Sequence, residues 1–317
     1  MTRPASLPAL LFVAVLSIAT AAIFIKLSSD AAPIVIAAAR LSLSAILLVP
    51  IALARRDGSV RSGGRKRWGG IGLAGVFLAA HFFCWITSLR HTSVVSSVVL
   101  VTTNPIFTGI ASYFLFKEPI TRPLLFGILL AVVGGGTIAY ADAGRDAGSV
   151  YGNVMSLLGA ITASSYFLVG RSVRRDVDTL NYVLPVYSIA ALLLCSGAMV
   201  LREPIAGLRT STYVYFVLLA IVPQLIGHSI FNWALKYMSA TMIAICILGE
   251  PIGATIMAAG FLDESVTGEQ AVGGALILAG IFLASRGSPP AESGSDRPEL
   301  AVAGSGSAGP SGRTNGD

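Results

Sequence analysis

The sequence predicts an all-α membrane protein with ten transmembrane helices, arranged as two inverted five-helix repeats. Three observations predict this fold: an apolar composition, charges confined to short clusters, and two stretches of chain that resemble each other. Of the 317 residues, 54% are hydrophobic and 12% are charged, about half the charged share of an ordinary soluble domain. Because so few charged side chains cannot cover a soluble protein of this size, the chain belongs in a lipid bilayer.

The long uncharged runs supply the membrane helices. A helix that crosses the hydrocarbon core needs about 20 mostly apolar residues. These runs are continuous, whereas the strands of a membrane barrel alternate apolar and polar residues, so helices are expected. The ten predicted helices fall within residues 4–25, 31–54, 68–89, 91–116, 123–141, 147–170, 179–201, 210–235, 237–262 and 270–285.

The basic residues predict that both termini face the cytoplasm. Cytoplasmic loops of membrane proteins are enriched in Lys and Arg. With the N-terminus inside, 16 of the 22 basic residues fall in inside segments and 5 in outside segments, while Arg40 lies within a span. We therefore expect a multi-pass protein of the cytoplasmic (inner) membrane. This topology also accounts for the net charge of +6 without nucleic acid as a partner.

The two similar stretches begin at Phe83 and Phe231. A constant offset of 146 residues pairs Pro105 with Pro251, Glu118 with Glu264, Thr121 with Thr267, Gly127 with Gly273, and Gly134 with Gly280. Each half then holds five helices, and because five is odd the second half enters the membrane upside down. Inverted repeats are typical of secondary transporters, in which the substrate binds near the midplane between the halves.

The order of these motifs resembles the EamA family of the drug/metabolite transporter superfamily. The resemblance is carried by TTNPIFTGIASYFLFKEPIT (102–121), by the stretch GHSIFNWALKYMSATMIAICILGEPIGATIMAAGFLDE (227–264), and by the FxW motifs of the third and eighth helices. It implies a ten-helix carrier of small metabolites, often an exporter. The implied units are residues 1–146 and 147–286, one five-helix repeat each. The Gly-, Ser- and Pro-rich residues 287–317 are predicted to be a disordered cytoplasmic tail.

Glu250 interrupts the apolar run of the ninth helix, directly before Pro251. A charge near the bilayer centre costs about 2.5–3.5 kcal/mol on insertion scales, so it is expected to face a cavity or a partner. Pro251, like its repeat mate Pro105, removes a backbone donor and is expected to open the helix locally. The repeat mate of Glu250 is Asn104, which cannot titrate but, directly before Pro105, is itself a candidate for the site. Two interpretations stay open: a carboxylate that binds solute or a proton, and a group that packs helices.

Gln224, His228 and Asn232 follow one another at intervals of four residues in the eighth helix. In an α-helix this spacing places them on one face. They are candidates for a cavity lining in which His228 could titrate near physiological pH. The alternative is hydrogen bonding between helices, worth about 0.6 kcal/mol per pair.

Four more residues are candidates for the site. Trp85 and Trp233 are repeat mates that would line a cavity from two sides or anchor helix ends at the interface. His81 lies one turn before Trp85, although a single histidine is more often a satisfied buried residue. Arg40 would attract an anionic group, neutralise Glu250, or extend its side chain to the outer interface.

These residues predict an alternating-access exporter of a small metabolite or drug-like solute, with Glu250 and His228 as proton-coupling groups. The sequence contains no nucleophile elbow, metal-ligand spacing or phosphate-binding loop, so it predicts no enzyme, no cofactor and no metal. A membrane-embedded enzyme that uses Glu250 and His228 as acid and base, and a channel or scaffold, stay open as alternatives. The expected partners are the solute and the bilayer, and nothing in the sequence supports a homodimer.

Overall fold

Long apolar helices make up the computed structural model, which describes residues 4–55, 65–116, 121–143, 147–174, 177–238, 240–247 and 249–286. The tail expected from residue 287 onward lies outside these ranges. Within them the secondary structure is helical throughout, without strands. The helices are α1 (Leu7–Ala19), α2 (Ala21–Leu27), α3 (Pro33–Ala54), α4 (Arg65–His91), α5 (Val94–Val101), α6 (Asn104–Phe116), α7 (Arg122–Ala143), α8 (Ala147–Val173), α9 (Thr179–Val200), α10 (Thr210–Leu219), the π-helical segment Ala220–His228, α11 (Ser229–Ala234), α12 (Ala240–Cys246), α13 (Gly249–Phe261) and α14 (Gly268–Arg286).

Eight helical stretches within the described ranges are long and apolar enough to cross a membrane. They correspond to predicted helices one to four and six to nine. Helices α7 and α14 occupy the fifth and tenth positions, but the apolar part of α7 is the shorter stretch Leu125–Ile138. The prediction of an all-helical membrane protein is therefore confirmed, whereas the count of ten spans is not. The eight stretches are Leu7–Leu27, Pro33–Ala54, Arg67–His91, Val94–Leu115, Ser149–Val173, Thr179–Val200, Thr210–Ala234 and Met242–Phe261.

The packing of these spans fits an inverted repeat. The second predicted helix (α3) packs against the seventh (α9), the fourth (through α5) against the ninth (through α13), and the fifth (α7) against the tenth (α14). In each case a helix contacts its own repeat mate. The third span (α4) packs against the sixth (α8), and the mates of these two, the eighth and the first, also pack together through the π-helical segment and α1.

The contact between α7 and α14 is made by glycine backbones. A Cβ atom on Gly134 would lie 2.5 Å from the carbonyl oxygen of Gly273, and a Cβ atom on Gly273 would lie 2.7 Å from that of Gly134. A Cβ atom on Gly280 would lie 2.6 Å from the carbonyl oxygen of Gly127. Because Gly127 is the repeat mate of Gly273 and Gly134 that of Gly280, the same pseudo-twofold operation relates the two contacts.

The spans that contain Pro105 and Pro251 are both interrupted close to these prolines. The fourth span is divided between α5 and α6, and the ninth between α12 and α13. Pro105 and Pro251 lie in the first turn of α6 and of α13, where a missing N–H breaks no helical hydrogen bond. The interruptions occur where the sequence predicts an opening of the helix. Movement about them stays a prediction.

The eighth span departs from the α-helix that its sequence predicts. Residues Ala220–His228, which include Pro223, form a π-helix. Its hydrogen bonds join residues five apart rather than four, which widens the turn. Gln224, His228 and Asn232 contact different neighbours instead of lining one cavity together.

Candidate functional site

A small cavity lies where the interrupted spans meet α1, α4, α8 and the π-helical segment. Its volume is about 30 Å³, roughly that of one water molecule in the liquid. Its titratable, polar and aromatic lining comes largely from His81, Trp85, Asn104, His228 and Glu250. Five of the predicted candidates are thus brought together from four different spans.

Glu250 lies in the first turn of α13, 7% exposed, on the wall of this cavity. Its backbone N–H donates to the carbonyl oxygen of Ile247 at 2.8 Å, across the interruption between α12 and α13. The carboxylate interacts electrostatically with Arg40. Asn104, the repeat mate of Glu250, lines the same cavity from the start of α6, as expected for a pair of mates close to a pseudo-twofold axis.

Aromatic and imidazole rings form another part of the wall. The ring of His81 stacks on that of Trp85, with centroids 6.1 Å apart, and His81 Nδ1 lies 2.9 Å from the carbonyl oxygen of Gly159. Because a carbonyl only accepts, Nδ1 carries the hydrogen in this bond. The ring of His228 meets the ring of Phe82 edge-on, with centroids 5.3 Å apart. In the described part of the chain, His228 Nδ1 has no hydrogen-bond partner.

Arg40 is fully buried, so its side chain does not extend to the interface as one interpretation of the sequence expected. Its Nε donates to Gln224 Oε1 at 2.7 Å, and its Cζ lies 4.1 Å from the centroid of the Phe82 ring. A hydrogen-bond acceptor and an aromatic face from distant parts of the chain partly replace the hydration of the guanidinium. Gln224 is thereby bound to α3 and is not part of the cavity wall.

Asn232 is held in a hydrogen-bond network between helices. Its Nδ2 donates to the carbonyl oxygen of His228 at 2.8 Å, and its Oδ1 accepts from the hydroxyl of Tyr166 at 2.7 Å. Its backbone oxygen accepts from Arg174 Nε at 2.9 Å. These contacts agree with the interpretation that the residue holds helices together, and Asn232 does not line the cavity.

A larger space, which we call the vestibule, opens at the end of the bundle that carries Arg55, Arg174 and Lys236. Its volume is about 560 Å³. Trp233 lines it and packs against Tyr237, with ring centroids 4.9 Å apart. The volume is within the range of about 300–1,000 Å³ typical of small-molecule sites, whereas the central cavity is far below it.

The repeat mates Trp85 and Trp233 therefore lie in different surroundings. Trp85 is 3% exposed beside the central cavity, while Trp233 is half-buried at the vestibule. The sequence expectation that both line one cavity from two sides is wrong for this conformation. The physical reason is that the two halves, although similar in sequence, are not packed identically around the axis.

The opposite end of the bundle is joined by a set of contacts that we call the polar seal: Lys26, Asp30, Arg209, Thr212 and Glu264. The carboxylate of Asp30 accepts from the backbone N–H of Arg209 at 2.7 Å, from Arg209 Nη2 at 3.1 Å and from Thr212 Oγ1 at 2.5 Å. Lys26 Nζ lies 3.3 Å from Glu264 Oε1. Each contact joins a residue of the first half to one of the second half.

We expect the polar seal to weaken in acid. The hydrogen bond from Thr212 and those from Arg209 hold the pKa of Asp30 below its usual value. A lowered pKa in the folded state adds stability above the unfolded value of about 3.9, and this stability is lost as the pH falls through the folded value. The melting temperature of the purified protein should therefore drop as the pH falls below about 4, and the drop should be smaller for Asp30→Asn.

The matched control is Asp263→Asn, because Asp263 is exposed at the same end of the bundle. It should keep the pH dependence of the unmodified protein. If Asp30→Asn and Asp263→Asn lost the same stability in acid, Asp30 would not be the group responsible.

Sequence reasoning missed several residues around the site. Phe82 contacts Arg40, His81, Trp85 and His228, yet nothing in an apolar helix distinguishes one phenylalanine from the next. The buried hydroxyls of Tyr166, Tyr182 and Tyr187 were also missed. Polar rings within apolar spans are a signal that could have found these three.

Titratable and hydrogen-bonding side chains meet at the central cavity. Glu250 and His228 are titratable groups on the wall of one cavity that has room for a water molecule. The described residues contain no group of three His, Cys, Asp or Glu side chains that could hold a metal ion.

Comparisons with known proteins identify a family and a shared fold. The model of the EamA-like transporter family matches residues 7–139 and 150–286. The chain is 25% identical over 227 residues to "Uncharacterized transporter YetK" of Bacillus subtilis, an alignment that covers 66% of this chain and 64% of the relative. It is 25% identical over 213 residues to "Probable amino-acid metabolite efflux pump" of Salmonella typhimurium, covering 64% and 71%. A solved crystal structure superposes with a TM-score of 0.66 at 22% identity, over 88% of this chain and 97% of the other.

Proposed function

Because the chain belongs to the EamA-like transporter family, it is a membrane transporter, and we propose that it exports a small metabolite by alternating access. The family model matches a stretch in each half of the chain. The name of the Salmonella relative, an amino-acid metabolite efflux pump, supports outward transport and makes amino-acid-like metabolites the first solutes to test. The names of both relatives also describe transport rather than catalysis.

The difference between the two ends of the bundle carries this proposal. The vestibule is large enough for a metabolite, the central cavity has room for about one water molecule, and the polar seal joins the halves at the far end. A carrier that alternates between two states has one end open and the other closed. Two similar halves around an axis give two such states of nearly equal energy.

The charges support an orientation of the protein in the membrane. Arg55, Arg174 and Lys236 surround the vestibule, and basic residues mark the cytoplasmic side. We therefore place the vestibule and both termini in the cytoplasm, with the polar seal outside. In this orientation the conformation would accept a solute from the cytoplasm, as the loading state of an exporter must.

Uphill export needs an energy source, and we propose the proton gradient. Glu250 and His228 are titratable groups on the wall of the central cavity. His228 belongs to the eighth span, which is partly π-helical, and Glu250 belongs to the ninth span, which is interrupted. A buried ionisable residue within a membrane span is by default a functional candidate. The repeat mate Asn104 cannot titrate, so the proposed coupling is asymmetric between the halves.

Counterflow in liposomes tests the proposal. Purified protein would be screened by thermal shift against amino acids, amines, nucleosides and purines, and the solute that stabilises it would be loaded unlabelled into proteoliposomes. We expect labelled solute added outside to accumulate transiently above its equilibrium level and to saturate with concentration. A channel would give equilibration without accumulation, and turnover of a lipid or peptide by detergent-solubilised protein would favour an enzyme instead.

A further inference from the structure

Arg40 carries two nitrogen atoms that the fold leaves without an acceptor. The side chain is fully buried, and its Nε donates to Gln224 Oε1 at 2.7 Å. Among the residues that the structure describes, its Nη1 and Nη2 have no hydrogen-bond partner. The Gln224 side chain also interacts with the hydroxyl of Tyr187, so the two Nη atoms of Arg40 are the buried donors that remain available.

The chemistry of these donors specifies what would bind them. A buried donor without an acceptor is costly, and more so when it is charged. The planar fork of a guanidinium matches the two oxygens of a carboxylate and binds it with two parallel hydrogen bonds. We propose that Arg40, assisted by Gln224, is a carboxylate-binding subsite for the transported solute, an inference that rests on the proposed transport function.

The subsite adjoins residues that contact the linings of both the central cavity and the vestibule. On the cavity side, the ring of Phe82 contacts both the Arg40 guanidinium and the ring of His228, which lines the cavity. On the vestibule side, the lining residue Ser229 donates from its Oγ to the backbone oxygen of Gln224 at 3.4 Å. A solute that reached Arg40 from either space would need these contacts of Phe82 and Ser229 to rearrange.

The vestibule carries the charge that would draw an anionic group inward. Its charged lining consists of Arg55, Arg174 and Lys236 against Asp178, which leaves an excess of positive charge. A cleft lined by charges of one sign raises the local concentration of oppositely charged solutes. Arg40 places a further, fully buried cation beyond this entrance.

The chain's own carboxylate is the competing occupant. Glu250 interacts electrostatically with Arg40, but the unpaired Nη atoms show that the two are not hydrogen-bonded within the described structure. A solute carboxylate and the Glu250 carboxylate could each accept hydrogen bonds from the guanidinium of Arg40. The experiment therefore has to separate them.

Paired ligands test the subsite. Detergent-purified protein would be titrated with each protein amino acid and with its carboxamide, which has the same side chain and amine but no carboxylate. For amino acids that bind, we expect the acid to bind roughly tenfold more tightly than the amide, or better. Arg40→Gln should bind both forms alike. Equal binding of acid and amide by the unmodified protein, no binding of any amino acid, or a preference that survives in Arg40→Gln would overturn the proposal.

A second variant covers the case in which Arg40→Gln does not fold. Gln224→Glu places a carboxylate of the protein itself next to the guanidinium of Arg40. We expect it to melt no lower than the unmodified protein and to lose the preference for acids. Glu269→Gln, at an exposed carboxylate in the first turn of α14, should keep that preference, and its loss there would mean that the preference does not come from the buried subsite.

Failure of the subsite and failure of the transport function give different results. Saturable counterflow of a solute without a carboxylate would leave the transporter proposal standing and remove the subsite. Arg40-dependent binding of acids without counterflow in liposomes would support the subsite and remove the transport mechanism.

Discussion

Glu250→Gln is expected to abolish solute accumulation driven by an imposed pH gradient, reducing it to the level of protein-free liposomes. The glutamine side chain has nearly the same shape and can still hydrogen-bond at the cavity wall, but it cannot take up and release a proton. Counterflow with equal pH on both sides should survive, because exchange of solute for solute needs no net proton movement. The measurement is uptake of labelled solute with and without a pH gradient.

Two further variants make this result specific. Glu269→Gln is the matched control, because Glu269 is an exposed carboxylate in the first turn of α14, and it should keep gradient-driven uptake. His228→Ala should lose gradient-driven uptake, since His228 is the second proposed proton-coupling group of the cavity. Full gradient-driven uptake by both Glu250→Gln and His228→Ala would remove the proton-carrier hypothesis.

Gly134→Ala is expected to destabilise the protein strongly, although it adds a single methyl group. The new Cβ atom would lie 2.5 Å from the carbonyl oxygen of Gly273, and a backbone oxygen within a packed helix cannot turn aside as a side chain can. Overpacking of this kind costs about 1–3 kcal/mol. We expect the melting temperature to fall by roughly 5 °C, measured on purified protein in detergent.

The same helix supplies the control. Gly136→Ala makes the same chemical change where a Cβ atom would meet no atom within 4 Å, so it should leave the melting temperature unchanged or raise it slightly through better helix propensity. Gly273→Ala should behave like Gly134→Ala, because each glycine approaches the carbonyl oxygen of the other. Equal melting temperatures for Gly134→Ala and Gly136→Ala would contradict the close contact of α7 and α14.

The offset of 146 residues between the two halves predicted pairs of residues that the structure relates by symmetry. It paired Gly127 with Gly273 and Gly134 with Gly280, and the structure brings these four residues together in two symmetry-related contacts. The resemblance to the EamA family is confirmed by the match to its model. Domain boundaries at residues 146 and 286 stay predictions, as do the functional roles of the candidate residues.

The irregular eighth span marks the limit of such reasoning. Its spacing favours an α-helical stripe of Gln224, His228 and Asn232, whereas the segment Ala220–His228 is a π-helix. Helical spacing is a local rule, and the π-helical turn is stabilised together with its contacts to α1 and α3. Packing of this segment and of α11 against other helices decides that His228 lines the cavity, Gln224 binds Arg40, and Asn232 binds Tyr166.

The sequence by itself determined that this protein lies in lipid and that its second half repeats its first. Transfer of a segment into lipid depends mainly on the segment's own residues, so the spans and the unusual position of Glu250 could be recognised along the chain. What only the tertiary structure decided is which buried groups are paired. Arg40 and Gln224 are 184 residues apart in sequence. Whether a buried donor finds its acceptor depends on which spans pack side by side, and that is a property of the whole bundle.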